Sequence, residues 1–276
     1  SEVRVWYNDG KAGVSWLREV FSVDASPFSK FAEGRDGPRM ATVPRRIRNE
    51  IARTLGGRGI RAGNRRTRRD ILKLLKSSGH SLVMELFSSP NVSKELERRG
   101  YPVSPSLDLR TGCDLDTEKG RSLALDMMER DKPEVVILSS VCKAFSVARV
   151  SSWHRMDQRQ RDEVEQECLR FMAFCCQVAE KQVERGRRFI LEQPASALSW
   201  QLECVKHLMS LPGVQMYKID QCELGLQVSP EGLSRKPTGL LSNDPMLIRP
   251  MQRPCRGDHV HVPLVGGANT RRAQHY

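Results

Sequence analysis

The sequence predicts an α/β fold, a doubly wound and largely parallel sheet with helices on both faces, behind a basic N-terminal extension. Three observations carry that expectation. From Gly79 onward, short apolar runs of strand length alternate with longer stretches whose apolar residues recur at helical spacing. After Pro133, the run Glu134–Leu138 ends in four consecutive apolar residues, as a strand buried on both faces requires. The order strand, helix, strand, helix, repeated along the chain, implies right-handed crossovers and parallel pairing.

The elements follow in order. Ser81–Phe87 (SLVMELF) reads as the first strand. Ser89 or Asn91 is placed to cap a helix over Val92–Arg99, and Gly100 to stop it. Val103–Leu109 reads as a second strand that delivers Asp108 at its end. Asp116–Arg130 is a helix carrying Leu123, Leu125, Met127 and Met128. Glu134–Leu138 is the third strand. A long helix over Arg159–Arg185 follows, with a stripe through Val164, Cys168, Phe171, Cys175, Val178 and Val183, and it ends at Gly186. Phe189–Glu192 is the last strand. The chain thus divides into an Arg/Gly-rich extension (1–78), an α/β domain (79–220) and an irregular segment rich in Pro and Gly (221–276).

Composition narrows the function. The 276 residues carry a formal net charge of +12, and the excess is concentrated: residues 1–80 hold 18 Lys/Arg against 8 Asp/Glu. Between Arg39 and Arg69 there are eleven arginines and a single acid, Glu50. Arginine forks match phosphate oxygens, so this run points to a nucleic acid backbone, with Arg65, Arg66, Arg68 and Arg69 as the densest contacts. The same run also reads as a solvated linker. No stretch of about 18 apolar residues exists, so no membrane partner is expected. Eight cysteines without a secretory leader read as reduced thiols of the nucleus or cytoplasm. The oligomeric state is not legible.

In a parallel sheet, chemistry sits beyond the carboxyl ends of the strands. Cys142, in the loop Ser139-Ser140-Val141-Cys142-Lys143 after the third strand, is placed to act as a thiolate nucleophile with Lys143 beside it, or else to close a turn as a small buried residue. Glu192, at the end of the last strand between Leu191 and Gln193-Pro194, is placed for proton transfer, or is a loop acid. Asp108 stands where doubly wound folds put an acid for ribose hydroxyls. Asp114 follows in Gly112-Cys113-Asp114-Leu115.

Taken together, residues from about 80 to 200 resemble the cytosine carbon-5 DNA methyltransferases, in a diverged form of the sort found in retroelement polyproteins. Glu85-Leu86-Phe87 stands where that family has D-L-F, and Gly112-Cys113-Asp114-Leu115 where it has G-D-I. Val141-Cys142-Lys143-Ala144-Phe145-Ser146 resembles P-C-Q-x-F-S, and Leu191-Glu192-Gln193-Pro194 the E-N-V segment. The resemblance implies a Rossmann-like methyltransferase sheet, S-adenosylmethionine as cofactor and DNA as substrate. It implies Cys142 as the nucleophile toward carbon-6, Glu192 at N3 of the base, and Phe87, Asp108, Asp114, Leu115 and Ser140 around the cofactor. The chain departs from the pattern at Val141, where the family has Pro, and at Ser88-Ser89-Pro90-Asn91, where the family is glycine-rich. No clean Q-x-R-x-R occurs; Arg235-Lys236-Pro237-Thr238 is one of the nearest substitutes, and makes Arg235 and Lys236 candidate phosphate contacts. The alternative from another class is a non-catalytic nucleic-acid-binding or assembly module.

No metal is assigned. Cys255, His259 and His261, with Cys222 upstream, offer zinc-type donors, but their spacing fits no standard finger and reads as a polar turn before it reads as a metal site.

Overall fold

The computed structural model describes Ser77, residues 79–146 and residues 153–264. The Arg/Gly run, including Arg65, Arg66, Arg68 and Arg69, lies outside the described residues.

Five strands form one sheet: β1 (Val83–Leu86), β2 (Val135–Leu138), β3 (Arg188–Pro194), β4 (Gln215–Asp220) and β7 (Pro237–Ser242), in the order β1-β2-β3-β7-β4. The first three run parallel, with Leu86 beside Leu138 and Leu138 beside Leu191. β7 runs antiparallel to both neighbours, pairing Leu240 with Glu192 of β3 and with Tyr217 of β4. The short strands β5 (Gln227–Ser229) and β6 (Gly232–Leu233) make a separate hairpin. The fold is therefore mixed α/β with a mostly parallel centre.

Alternation along the strands sorts their side chains to two faces. Val83, Val135, Ile137, Ile190, Ile219 and Leu240 point to one face, against α1 (Val92–Arg98) and the short helix α5 (Pro245–Ile248). Met84, Leu86, Val136, Leu138, Phe189 and Leu191 point to the other, against α2 (Glu118–Asp131), α3 (Gln158–Glu184) and α4 (Glu203–Ser210). The stripe read on α3 is the face it buries: Cys168, Phe171, Cys175 and Val178 are all in this second core. Asp157 and Gln160 close a capping box at its start.

Three expectations are corrected. Val103–Leu109 is not a ladder strand. It runs beside β1, donating Ser104 N–H to the Val83 carbonyl and Leu107 N–H to that of Glu85, but bridges it only at Leu107. Pro105 has no N–H to extend the ladder. Neither Ser89 nor Asn91 caps α1 through its side chain: Asn91 has helical φ and ψ of −91° and −54°, and the cap comes from Glu85 instead. Finally, 221–276 is not irregular throughout, because β7 lies inside it and sits in the sheet between β3 and β4. No helix among the described residues is long and apolar enough to cross a membrane.

Candidate functional site

The parallel strands deliver their ends to one edge of the sheet, and most of the candidate residues lie there. β2 leads into Ser139 and Ser140 and then a tight turn in which the Cys142 carbonyl accepts the N–H groups of Phe145 and Ser146. Cys142 is half-buried. On the neighbouring parallel strand, Glu192 is 6% exposed and projects from the same face as Ile190.

Two contacts stitch these strand ends together. Gln193 Nε2 donates to the Ser140 carbonyl at 2.9 Å and lies 3.1 Å from its Oγ. Beyond β3, the Leu198 N–H donates to the Phe145 carbonyl at 2.9 Å. Ala144 and Phe145 are buried beneath. Gln193 is 1% exposed, so its amide is a fixed spacer between the cysteine loop and the strand that carries Glu192. Sequence reading missed it, although a buried amide directly after a candidate acid was the available signal.

The cofactor candidates are placed differently. Phe87 has φ of +62°, which breaks the alternation and turns its ring to the same side as Leu86. There it packs on Phe171, with centroids 5.0 Å apart, and on Phe174 at 6.3 Å. The ring is therefore part of the core against α3, and it does not stand open at the edge. Glu85, fully buried, turns to the opposite face. Its carboxylate accepts the N–H groups of Asn91, Val92 and Ser93 and the Ser93 hydroxyl, at 3.0–3.2 Å. The backbone donors at the start of α1 are thus satisfied from within the protein.

Asp108 caps a 3-10 turn over Leu109–Thr111, accepting the Arg110 N–H while its own N–H goes to the Thr111 hydroxyl. Asp114 is exposed and accepts the Asp116 N–H, and Leu115 is buried in the core. Arg235 forks onto Asp220 at 3.0 and 3.2 Å, so its guanidinium anchors the turn before β7. Lys236 enters that strand with φ of +34°. Comparison with family models, with curated proteins and with solved structures found no match.

Gly120 controls the Asp114 turn. Helix propensity alone would make Gly120→Ala stabilising by about 1 kcal/mol. A Cβ there, however, would sit 1.9 Å from the Asp114 carbonyl oxygen and 2.7 Å from its carbon. Backbone, not a flexible side chain, must give way, and overpacking of that kind costs about 1–3 kcal/mol. Space wins: the variant is expected to melt below the wild type, with the Asp114 and Leu115 amides shifted most in an NMR comparison. An unchanged melting temperature would show that the turn yields freely.

Proposed function

We propose that the chain is a cytosine carbon-5 methyltransferase acting on DNA, or a diverged descendant of one. The observation that carries the reading is the pairing of a cysteine loop and a buried glutamate on adjacent parallel strands, held in register by Gln193. In the mechanism that the resemblance implies, the target base leaves the duplex. The Cys142 thiolate adds to carbon-6, and Glu192 gives a proton to N3 as the ring takes up the electron pair. After substitution at carbon-5, loss of the carbon-5 proton expels the thiolate, and return of the N3 proton to Glu192 restores the ring. S-adenosylmethionine supplies the methyl group when bound. Asp108, half-buried, and Asp114, exposed, are the acids proposed to face it, although each already accepts an N–H within its own turn, whereas Phe87 and the start of α1 are engaged within the protein. That engagement favours a second reading, a nucleic-acid-binding or assembly module without catalysis. In either case the arginines at 65, 66, 68 and 69 are the proposed phosphate contacts.

Two measurements separate the readings. Calorimetric titration of S-adenosylmethionine is expected to show binding to the full chain. A duplex containing a cytosine analogue that traps the carbon-6 adduct is expected to become covalently bound, and Cys142→Ser to abolish the adduct while leaving duplex affinity within about twofold, since backbone charge supplies most of it. Duplex binding with neither cofactor binding nor an adduct would leave the binding module.

A further inference from the structure

Cys222, Cys255, His259 and His261 come together from separate stretches of chain. Their Sγ and ring nitrogen atoms all lie within 4.8 Å of one another. Cys222 sits in the 3-10 turn Gln221–Leu224 that follows β4, and the other three lie beyond β7. Cys255 Sγ is 3.7 Å from His259 Nε2 and 3.4 Å from His261 Nε2, and the two Nε2 atoms are 3.0 Å apart. A tetrahedron built on zinc–sulfur bonds of about 2.3 Å and zinc–nitrogen bonds of about 2.05 Å has edges of about 3.5 Å between S and N and about 3.3 Å between N and N. The three edges among Cys255, His259 and His261 are within about 0.3 Å of those values, and Cys222 Sγ lies within 4.8 Å of each of the three.

The surroundings match the chemistry. His259 Nδ1 is 2.9 Å from Asp258 Oδ1, which holds the ring proton on Nδ1 and leaves the Nε2 lone pair facing the cluster. The Cys255 sulfur accepts the Gly257 N–H at 3.3 Å, which fixes the thiol within its own turn. The frame is rigid. Asp220 accepts the Cys255 N–H at 2.9 Å, Glu223 accepts both backbone and guanidinium N–H of Arg256, and β6 bridges His261 at Leu233. Two nitrogens and two sulfurs suit a borderline-soft cation and not magnesium or calcium.

We propose that these four residues form a structural Zn²⁺ site, with Asp258 as the residue that orients His259. All four positions are protein ligands, so the site holds the segment 255–264 against the turn after β4 and is not catalytic. Binding displaces the thiol protons to solvent as two zinc–sulfur bonds form.

The test uses the purified full chain. Elemental analysis is expected to give one zinc per chain. After the metal is stripped, cobalt(II) titration is expected to give intense tetrahedral d–d absorption with sulfur-to-cobalt charge transfer, saturating at one equivalent. Cys255→Ser is expected to remove about half of the charge-transfer intensity, and His261→Cys to keep the metal and raise that intensity by about half. Asp258→Asn should weaken affinity about 10-fold or more without changing the spectrum. A folded protein, checked by circular dichroism, that shows no zinc and no cobalt spectrum would overturn the site. So would a cobalt spectrum that neither Cys255→Ser nor His261→Cys alters.

Discussion

Glu85→Ala is expected to lower the unfolding free energy by about 3–5 kcal/mol, as measured by urea denaturation. The carboxylate accepts three backbone N–H groups at the start of α1 and a hydroxyl, and it is fully buried. Each buried donor left without an acceptor costs about 1–3 kcal/mol, and a small cavity adds to that. Glu85→Gln, which retains one acceptor oxygen, should lose about half as much. The group also sets a pH dependence. Burial pushes its pKa up from 4.5 to about 7, the four hydrogen bonds pulling only partly the other way. A folded pKa above the unfolded one means that the folded state binds the extra proton. The associated stabilisation is full below about 4.5 and is lost as the pH rises through about 7. Over that interval it amounts to about 3 kcal/mol. Glu85→Gln should therefore flatten the decline in stability between pH 5 and 8; an equally steep decline in the variant would assign it to another group.

Arg188→Met is expected to cost about 3–5 kcal/mol, at the opposite edge of the sheet. The guanidinium reaches Asp244 at 2.6 Å and Glu134 at 3.5 Å, with side-chain exposures of 5% for Arg188, 14% for Asp244 and 2% for Glu134. Removing the cation leaves two carboxylates with little water and no counter-charge from this residue, which is the expensive way to break a buried pair. Neutralising the acids as well, in Arg188→Met with Glu134→Gln and Asp244→Asn, should recover much of the loss. Melts of Arg188→Met, of Glu134→Gln with Asp244→Asn, and of all three changes together give the coupling energy, and additive effects would show that the ions do not act as a unit. Because Arg188 opens β3 and Glu192 lies near its other end, the adduct proposed for Cys142 should form in unchanged yield per folded molecule.

Much of the fold was legible because burial on both faces leaves a plain mark. Val135–Leu138 is four apolar residues in a row and is the central parallel strand. The Phe171, Cys175 and Val178 stripe recurs at helical spacing because that face of α3 meets the sheet. β7 was illegible for the converse reason: Pro237, Thr238 and Gly239 look like turn residues. Yet Gly239 is where the indole of Trp200 and the end of Met216 press on the strand, and a Cβ would stand 2.7 and 2.8 Å from them. β4 did carry a signal, since Tyr217 and Ile219 are buried while Gln215 and Lys218 are exposed, but six residues are a short sample of a period of two. At the candidate site, strand order placed Cys142 and Glu192 on neighbouring exits. Sequence spacing could not show that Phe87 turns inward, because that depends on a positive φ and on Phe171 and Phe174, more than 80 residues away. The donors Cys222, Cys255, His259 and His261 were legible as residue types, but the 33-residue gap between the first two hid that Cys222 closes on the other three.

The reversed strand β7 has a consequence for the order in which the molecule comes into being. During synthesis β4 leaves the ribosome before β7, yet among the described residues its one ladder partner in the sheet is β7. Until residue 242 has emerged, β3 and β4 both lack the strand that pairs them among the described residues. The exposed rows of N–H and C=O on β3 and β4 are templates for intermolecular pairing throughout that interval. Completion of the sheet is therefore a late, single event that joins two waiting strands at once, and the nascent chain is most vulnerable to aggregation just before it.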